Sequence, residues 1–221
     1  MTRMSAADRR EQLLALARDE FAEHGLHAAS IDAIAQRAGI TQAYVFRIFG
    51  TKKALFLEVY EDAYTQLIDG LRRAVGETRG LAAVDLMSPQ YLERLTDRSR
   101  MRLQLQGLAA CGDDEIREAV RAQFRRLWEA VEELTGTEPI GTKAFLSFGL
   151  FMSAAAAMEI DGLDEPWARG VATPVRGGLF EHITGEQNHP ATGAADAADP
   201  SPRSAVPHHS ATASPEREDR S

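Results

Sequence analysis

Apolar residues recur at three- and four-residue intervals along most of the chain up to about residue 183, and this spacing predicts a succession of helices. Leu13, Leu14, Ala17 and Phe21 form one face of a first helix. Ser5 and Asp8 before it stand at the distance at which a hydroxyl and a carboxylate cap each other's backbone N–H groups, and Gly25 marks its end. Ile31, Ile34, Ala35 and Ala38 give a short second helix, opened by Ser30 and closed by Gly39, with Ile40 as an apolar plug for the turn. Thr41 restarts the chain for a third helix in which Val45 and Phe49 face inward, and Gly50 and Thr51 end it and cap the next. From Thr51 to about Arg79 a long stripe runs through Leu55, Val59, Ala63, Leu67 and Leu71.

Beyond it the pattern predicts a helix from Ser88-Pro89 through Leu92, Leu95, Met101, Leu105 and Leu108 to Cys111-Gly112. Another starts at Asp113-Asp114, carries Ile116, Val120, Phe124, Leu127, Trp128, Val131 and Leu134, and closes at Gly136. The stretch 139–160, with its run FLSFGLFMSAAAAM, is apolar on nearly all faces, so it must be buried on every side; in so small a body one side is expected to face another subunit, with the small residues Ser153 to Ala157 permitting close approach. A last segment, 164–183, carries Trp167, Val171, Val175, Leu179 and Phe180 but is interrupted by Pro174 and the Gly177-Gly178 pair. The fold expected is all-α: a three-helix head over residues 1–53, a long helix leading into a helical body over 54–184, and a tail over 185–221. The tail has no Leu, Ile, Met or aromatic residue, so it buries too little surface to offset its ordering entropy and reads as disordered.

Two short helices joined by a glycine-containing turn make a helix-turn-helix, whose second helix enters a major groove. With Val45 and Phe49 turned inward, Gln42, Ala43, Tyr44 and Arg47 are left outward. Those types suit base edges: Arg forks onto guanine, Gln onto adenine, and an Ala or Tyr surface meets a thymine methyl. Thr41, Thr51, Lys52 and the helix N-termini, that of Ser30 among them, suit phosphate, because they offer donors and positive charge without base preference.

Residues 13–60, LLALARDEFAEHGLHAASIDAIAQRAGITQAYVFRIFGTKKALFLEVY, resemble the N-terminal DNA-binding region of TetR-like transcriptional regulators. The likeness runs in order through Phe21 and Gly25, Ser30, Ile34-Ala35, Ala38-Gly39-Ile40, Phe49, Thr51-Lys52 and Leu55-Phe56. It covers about a quarter of the chain. The family commonly has Lys at the position of Gln42, Gly at Ala43, a phosphate-touching Tyr at Phe46, and His or Tyr at Ile48; Phe46 therefore occupies a phosphate position without a hydroxyl to donate. These changes imply a different operator sequence. The resemblance also implies a homodimeric repressor on a palindromic operator in double-stranded DNA, released when a small molecule enters the body. Met101, Gln104, Leu105, Leu108, Phe124, Trp128, Phe148 and Met152 are the candidate pocket lining, a mixture of flexible and aromatic apolar residues that points to an apolar or aromatic effector.

Composition narrows the alternatives. A chain of 221 residues with 44% hydrophobic positions has enough apolar matter for a sizeable core. The single Cys111 excludes an internal disulfide framework and reads as a small apolar residue near a helix end. No run is expected to approach the roughly 20 apolar residues of a spanning helix, and the N-terminus has no apolar segment behind its charges, so a cytoplasmic protein without membrane contact is expected. The net charge of −8 looks wrong for a DNA binder until it is divided: the first 53 residues hold 8 Lys or Arg against 6 Asp or Glu, the remainder 17 against 27. The basic excess sits on the head, and an acidic body steers DNA away from itself. No nucleophile elbow, phosphate-cradling loop or paired metal-ligand motif is present, so neither catalysis, cofactor nor metal is expected; His24 and His27, parted by Gly25, and His208-His209 in the tail read as solvated. A ligand-binding helical protein without DNA binding, or a DNA binder of low specificity, are the competing readings, and Gln42, Tyr44 and Arg47 argue against both.

Overall fold

The N-terminal helices begin where side-chain oxygens satisfy their free N–H groups. In the computed structural model, which describes residues 5–94 and 97–172, Ser5 Oγ accepts from Asp8 N at 3.1 Å while the Asp8 carboxylate accepts from Ser5 N at 3.2 Å, opening α1 (Ala6–Ala28). Ser30, Thr41 and Thr51 cap α2 (Ile31–Arg37), α3 (Gln42–Phe49) and α4 (Lys52–Val75) in the same way. Every regular element among the described residues is helical, with α5 (Leu81–Arg94), α6 (Arg98–Ala109), α7 (Asp114–Thr135), α8 (Pro139–Ala157), a 3₁₀ turn at Ile160–Gly162 and α9 (Pro166–Ala172) completing the order. The expected weak helix beyond residue 172 and the tail 185–221 lie outside the described residues.

One continuous cluster of buried residues runs from Leu13 to Met152, so the N-terminal head and the body share a core. Helix α1 packs on both α4 and α6, and Phe21 meets Phe56 edge-to-face at 5.2 Å between ring centres. Both rings are fully buried, and truncating either to Ala removes about 3–5 kcal/mol. Helix α6 lies between α1 and α8, while α7 packs on α4 and α8.

Several boundaries differ from those the sequence suggests. Helix α4 ends at Val75 rather than near Arg79, because Gly76 takes φ 54° and Arg79 turns back to donate to the carbonyls of Gly76 and Thr78 at 3.1 and 2.9 Å. Ser88-Pro89 opens no helix but lies inside α5; Leu81, Ala83, Val84 and Met87 are buried and draw the start back to residue 81. Ser88 Oγ donates to the Val84 carbonyl at 2.9 Å instead of capping. The one helix expected from Ser88 to Leu108 is thus two, with α6 starting after Asp97. On α7, Phe124 leaves the inward stripe: it lies on the flank of the row Ile116, Val120, Leu127, Val131 and Leu134 and is 45% exposed.

Helix α8 is 19 residues long with mean hydropathy 1.4 over its 18-residue window, long and apolar enough to cross a membrane by length and composition, against the expectation that no run would be. Here 44% of that stretch is buried inside the chain. Ser153 is fully buried against Met101 of α6, and Ala155 packs with Ile160 and Ala168, so these small residues serve packing within the subunit. The uncovered side of α8 shows Ile140, Leu150 and Phe151, with Met158 just beyond.

Candidate nucleic-acid interface and effector cavity

The turn between α2 and α3 is built from two hydrogen bonds. Gly39 N donates to Gln36 O at 3.1 Å and Ile40 N to Ala35 O at 3.0 Å, a pairing that requires the residue after the cap to be left-handed, and Gly39 has φ 67°. A side chain there would be strained, so the turn depends on this glycine. The turn sets α3 down with Val45 and Phe49 buried, while Gln42, Ala43, Phe46 and Arg47 are exposed and Tyr44 is half-buried. Arg47 lies over the Tyr44 ring, 4.5 Å from guanidinium carbon to ring centre, and makes no ion pair among the described residues. Its donors are therefore presented outward on an aromatic support.

Other basic groups of the head are committed. Arg9 donates to the Ala38 carbonyl at the end of α2 at 3.0 Å; Arg10 pairs with Glu58 and lies over the Phe49 ring; Arg37 meets Asp19 at 3.3 Å. Lys52, expected at phosphate, donates to the carbonyls of His27 and Ala29 at 2.8 and 3.2 Å and so ties the end of α1 to the start of α4. Its third N–H is left over for an anion. The hydroxyls of Ser30, Thr41 and Thr51 accept from Ala33, Tyr44 and Ala54 N, and each, being exposed, keeps a proton to donate to phosphate. Lys53 is a connection the sequence reading missed: Nζ reaches Asp113 at 2.8 Å and Glu115 at 3.0 Å, joining the start of α4 to the start of α7. Asp113 also caps α7 through its other oxygen.

In the body, a cavity of about 350 Å³ opens between α4, α6, α7 and α8, within the size range of small-molecule sites. Of the residues expected there, Gln104, Leu108, Phe124 and Trp128 line it. Met101 instead lines an adjacent gap of about 20 Å³, room for roughly one water, while Leu105, Phe148 and Met152 line neither. The sequence reading missed Tyr64, Leu71 and Leu127, and the α8 residues Lys143, Phe145, Leu146, Ser147 and Leu150. Lys143 carried a signal, being the one charge in α8.

A polar seam closes the deep end. Tyr60 donates its phenol to that of Tyr64 at 3.2 Å, Tyr64 bonds Gln104, and the Gln104 amide oxygen accepts from Ser153 at 3.2 Å. Burial pushes both phenols above the ordinary tyrosine range, Tyr60 the further, so they stay neutral. Gly107 makes this packing possible: a Cβ there would fall 2.1 Å from the Tyr60 ring.

Residues 13–59 match the family described as bacterial regulatory proteins, tetR family. Over 76 residues the chain is 37% identical to the HTH-type transcriptional activator FasR of Mycolicibacterium smegmatis (strain ATCC 700084 / mc(2)155), a match that spans 34% of this chain and 35% of that protein, about a third of its length. The fold is similar to that of a TetR-like transcriptional regulator from Rhodococcus sp. RHA1 (TM-score 0.58, 20% identity, covering 82% of this chain and 96% of that one). It is likewise similar to the transcriptional regulator FadR from Bacillus subtilis solved in complex with stearoyl-CoA (TM-score 0.60, 12% identity, covering 79% and 97%).

Proposed function

This chain is TetR-like in its N-terminal region, and on that premise we propose that it is a sequence-specific DNA-binding transcriptional regulator whose hold on its operator is released by a small apolar or aromatic molecule. The observation that carries the reading is the outward face of α3, where Gln42, Ala43, Tyr44 and Arg47 stand free on a helix whose opposite side is locked into the core. A homodimer would present two such helices to a palindromic operator in duplex DNA, with half-sites about 34–36 Å apart. The uncovered apolar side of α8 supports pairing of two copies there. The cavity supports an effector site, as does the likeness in fold to a FadR solved with stearoyl-CoA. Cytoplasmic location follows from such a role, and neither catalysis nor a cofactor enters it.

Footprinting on duplex DNA from the chain's own upstream region tests the proposal. Protection of two related half-sites, shifted to higher protein concentration in Arg47→Ala, is expected; uniform coating of the duplex would instead support a low-specificity binder. The Mycolicibacterium relative is named an activator, which favours a second reading in which the bound chain raises transcription. Transcription in vitro from the protected promoter separates the two: a fall on adding the protein marks a repressor, a rise an activator.

A further inference from the structure

We propose that the molecule seated in the body cavity is an amphipathic anion, with its apolar part between α4, α6 and α7 and its charge on Lys143. This rests on reading the cavity as an effector site. Lys143 is the sole charged residue of α8, and it stands on the face formed by Lys143, Leu146, Ser147 and Leu150 that walls the cavity. Elsewhere in this acidic body Arg72, Arg98, Arg102 and Arg126 reach carboxylates, whereas Arg73 and Arg125, like Lys143, reach none among the described residues. No carboxylate among the described residues lies within ion-pair distance of Lys143, and its side chain is exposed. What sets Lys143 apart is its place: it is the one charged residue lining this apolar opening.

The rest of the lining says where an anion can sit. Leu71, Leu127 and Phe145 offer no donor, and an unpaired charge among them would carry a large desolvation cost. On the far side the Tyr64 oxygen accepts from Tyr60 and from the Gln104 amide, and the Gln104 oxygen accepts from Ser153, a neutral seam without a charge to meet an anion. An anionic group is therefore disfavoured against the apolar wall and favoured at the exposed rim, where the Lys143 ammonium and, one turn on, the exposed Ser147 hydroxyl are donors. An alkyl or aryl carboxylate meets this arrangement directly. An acyl thioester of coenzyme A meets it with the phosphates of its carrier.

Isothermal titration of the full chain with decanoate and decanoyl-CoA below their micelle concentrations and decanol below its solubility limit tests the assignment. Decanoate is expected to bind at least ~10-fold more tightly than decanol. Lys143→Gln should abolish that preference without weakening decanol, and Lys143→Arg should keep it. If decanoyl-CoA binds and decanoate does not, the thioester is the source of the anion, and Lys143→Gln must then weaken decanoyl-CoA by a similar factor. Equal affinity for decanoate and decanol, or a preference that survives Lys143→Gln, overturns the anion assignment while leaving an apolar effector site. Binding of none of the three overturns both.

Discussion

Arg47 and Lys52 lie five residues apart and do different work. The Arg47 guanidinium lies on Tyr44 and makes no ion pair among the described residues, which suits the proposed fork onto a guanine edge. Arg47→Ala should cost about 1–3 kcal/mol on the cognate site and relax preference at one position per half-site in a binding selection; unchanged preferences with lower affinity everywhere would make Arg47 a phosphate anchor. Lys52 is bound to the His27 and Ala29 carbonyls, so Lys52→Ala should lower the melting temperature as well as weaken all DNA sequences alike, which thermal melting and selection together distinguish from a pure phosphate contact. Lys53 and Asp113 give a pH signature. The Lys53 hydrogen bond, then the Ile116 N–H, holds the Asp113 carboxyl below its ordinary 3.8, so its contribution is complete above 3.8 and is lost as pH falls through the depressed value. Bonds to Asp113 and Glu115 raise Lys53 above 10.5, so its contribution is complete below 10.5 and is lost as pH rises through the raised value. Lys53→Met should therefore melt lower than the parent by a constant margin between those limits, with the margin closing below pH 3.8; a margin that persists there would mean Lys53 acts by packing. The caps were legible as residues, because Ser, Thr and Asp before an apolar run have one local use. Lys52 and Lys53 were not, because their partners lie 23 to 62 positions away and nothing local distinguishes a structural ammonium from a phosphate contact.

At the scale of the helix, periodicity located α1 to α4 and α7, whose stripes are amphipathic, and misjudged α5, where a cap-and-proline signature competed with burial of Leu81, Val84 and Met87. Burial won because a proline late in a helix costs about 3 kcal/mol, a penalty that a few buried side chains at about 1.5–3 kcal/mol each offset. Helix α8 shows the opposite limit: a run apolar all round has no face to read, and only packing reveals that Ser153, Ala155 and Ala156 point into the subunit while Phe151 points out. A charge at Ala156 would thus damage the fold itself. Phe151→Glu, at a site 50% exposed, should leave melting little changed and convert a dimer to monomer in sedimentation; an unaltered dimer would place the contact elsewhere. The α4–α6 approach is as specific. Gly107→Ala should force α6 off Tyr60 and destabilise by about 1–3 kcal/mol in chemical denaturation, whereas at the open Gly112 the same change should be nearly neutral.

For the molecule as a whole, the question is how a ligand between α4, α6, α7 and α8 could alter an α3 that it does not touch. Helix α6 is the common member: Gln104 and Leu108 line the cavity, while Arg102 reaches Glu23 of α1 at 2.8 Å and Glu159 beyond α8 at 3.2 Å, and Gln106 lies against Gly25 at the kink of α1. A shift of α6 on ligand entry would therefore move α1 against the helix-turn-helix through packed side chains. Coupling of this kind is reciprocal: if the ligand weakens operator binding by some factor, operator DNA weakens ligand binding by the same factor. Arg102 is partly exposed and its pairs are worth at most about 1 kcal/mol each, so Arg102→Ala should leave the fold and each separate affinity nearly intact. Its expected effect is on the factor itself. Titrating ligand with and without operator, and operator with and without ligand, should give one factor in the parent protein, and a smaller one, again equal in both directions, in Arg102→Ala. A factor unchanged by the substitution would take the α6–α1 bridge out of the route and leave the shared core around Phe21, Phe56 and Tyr60 to carry the signal.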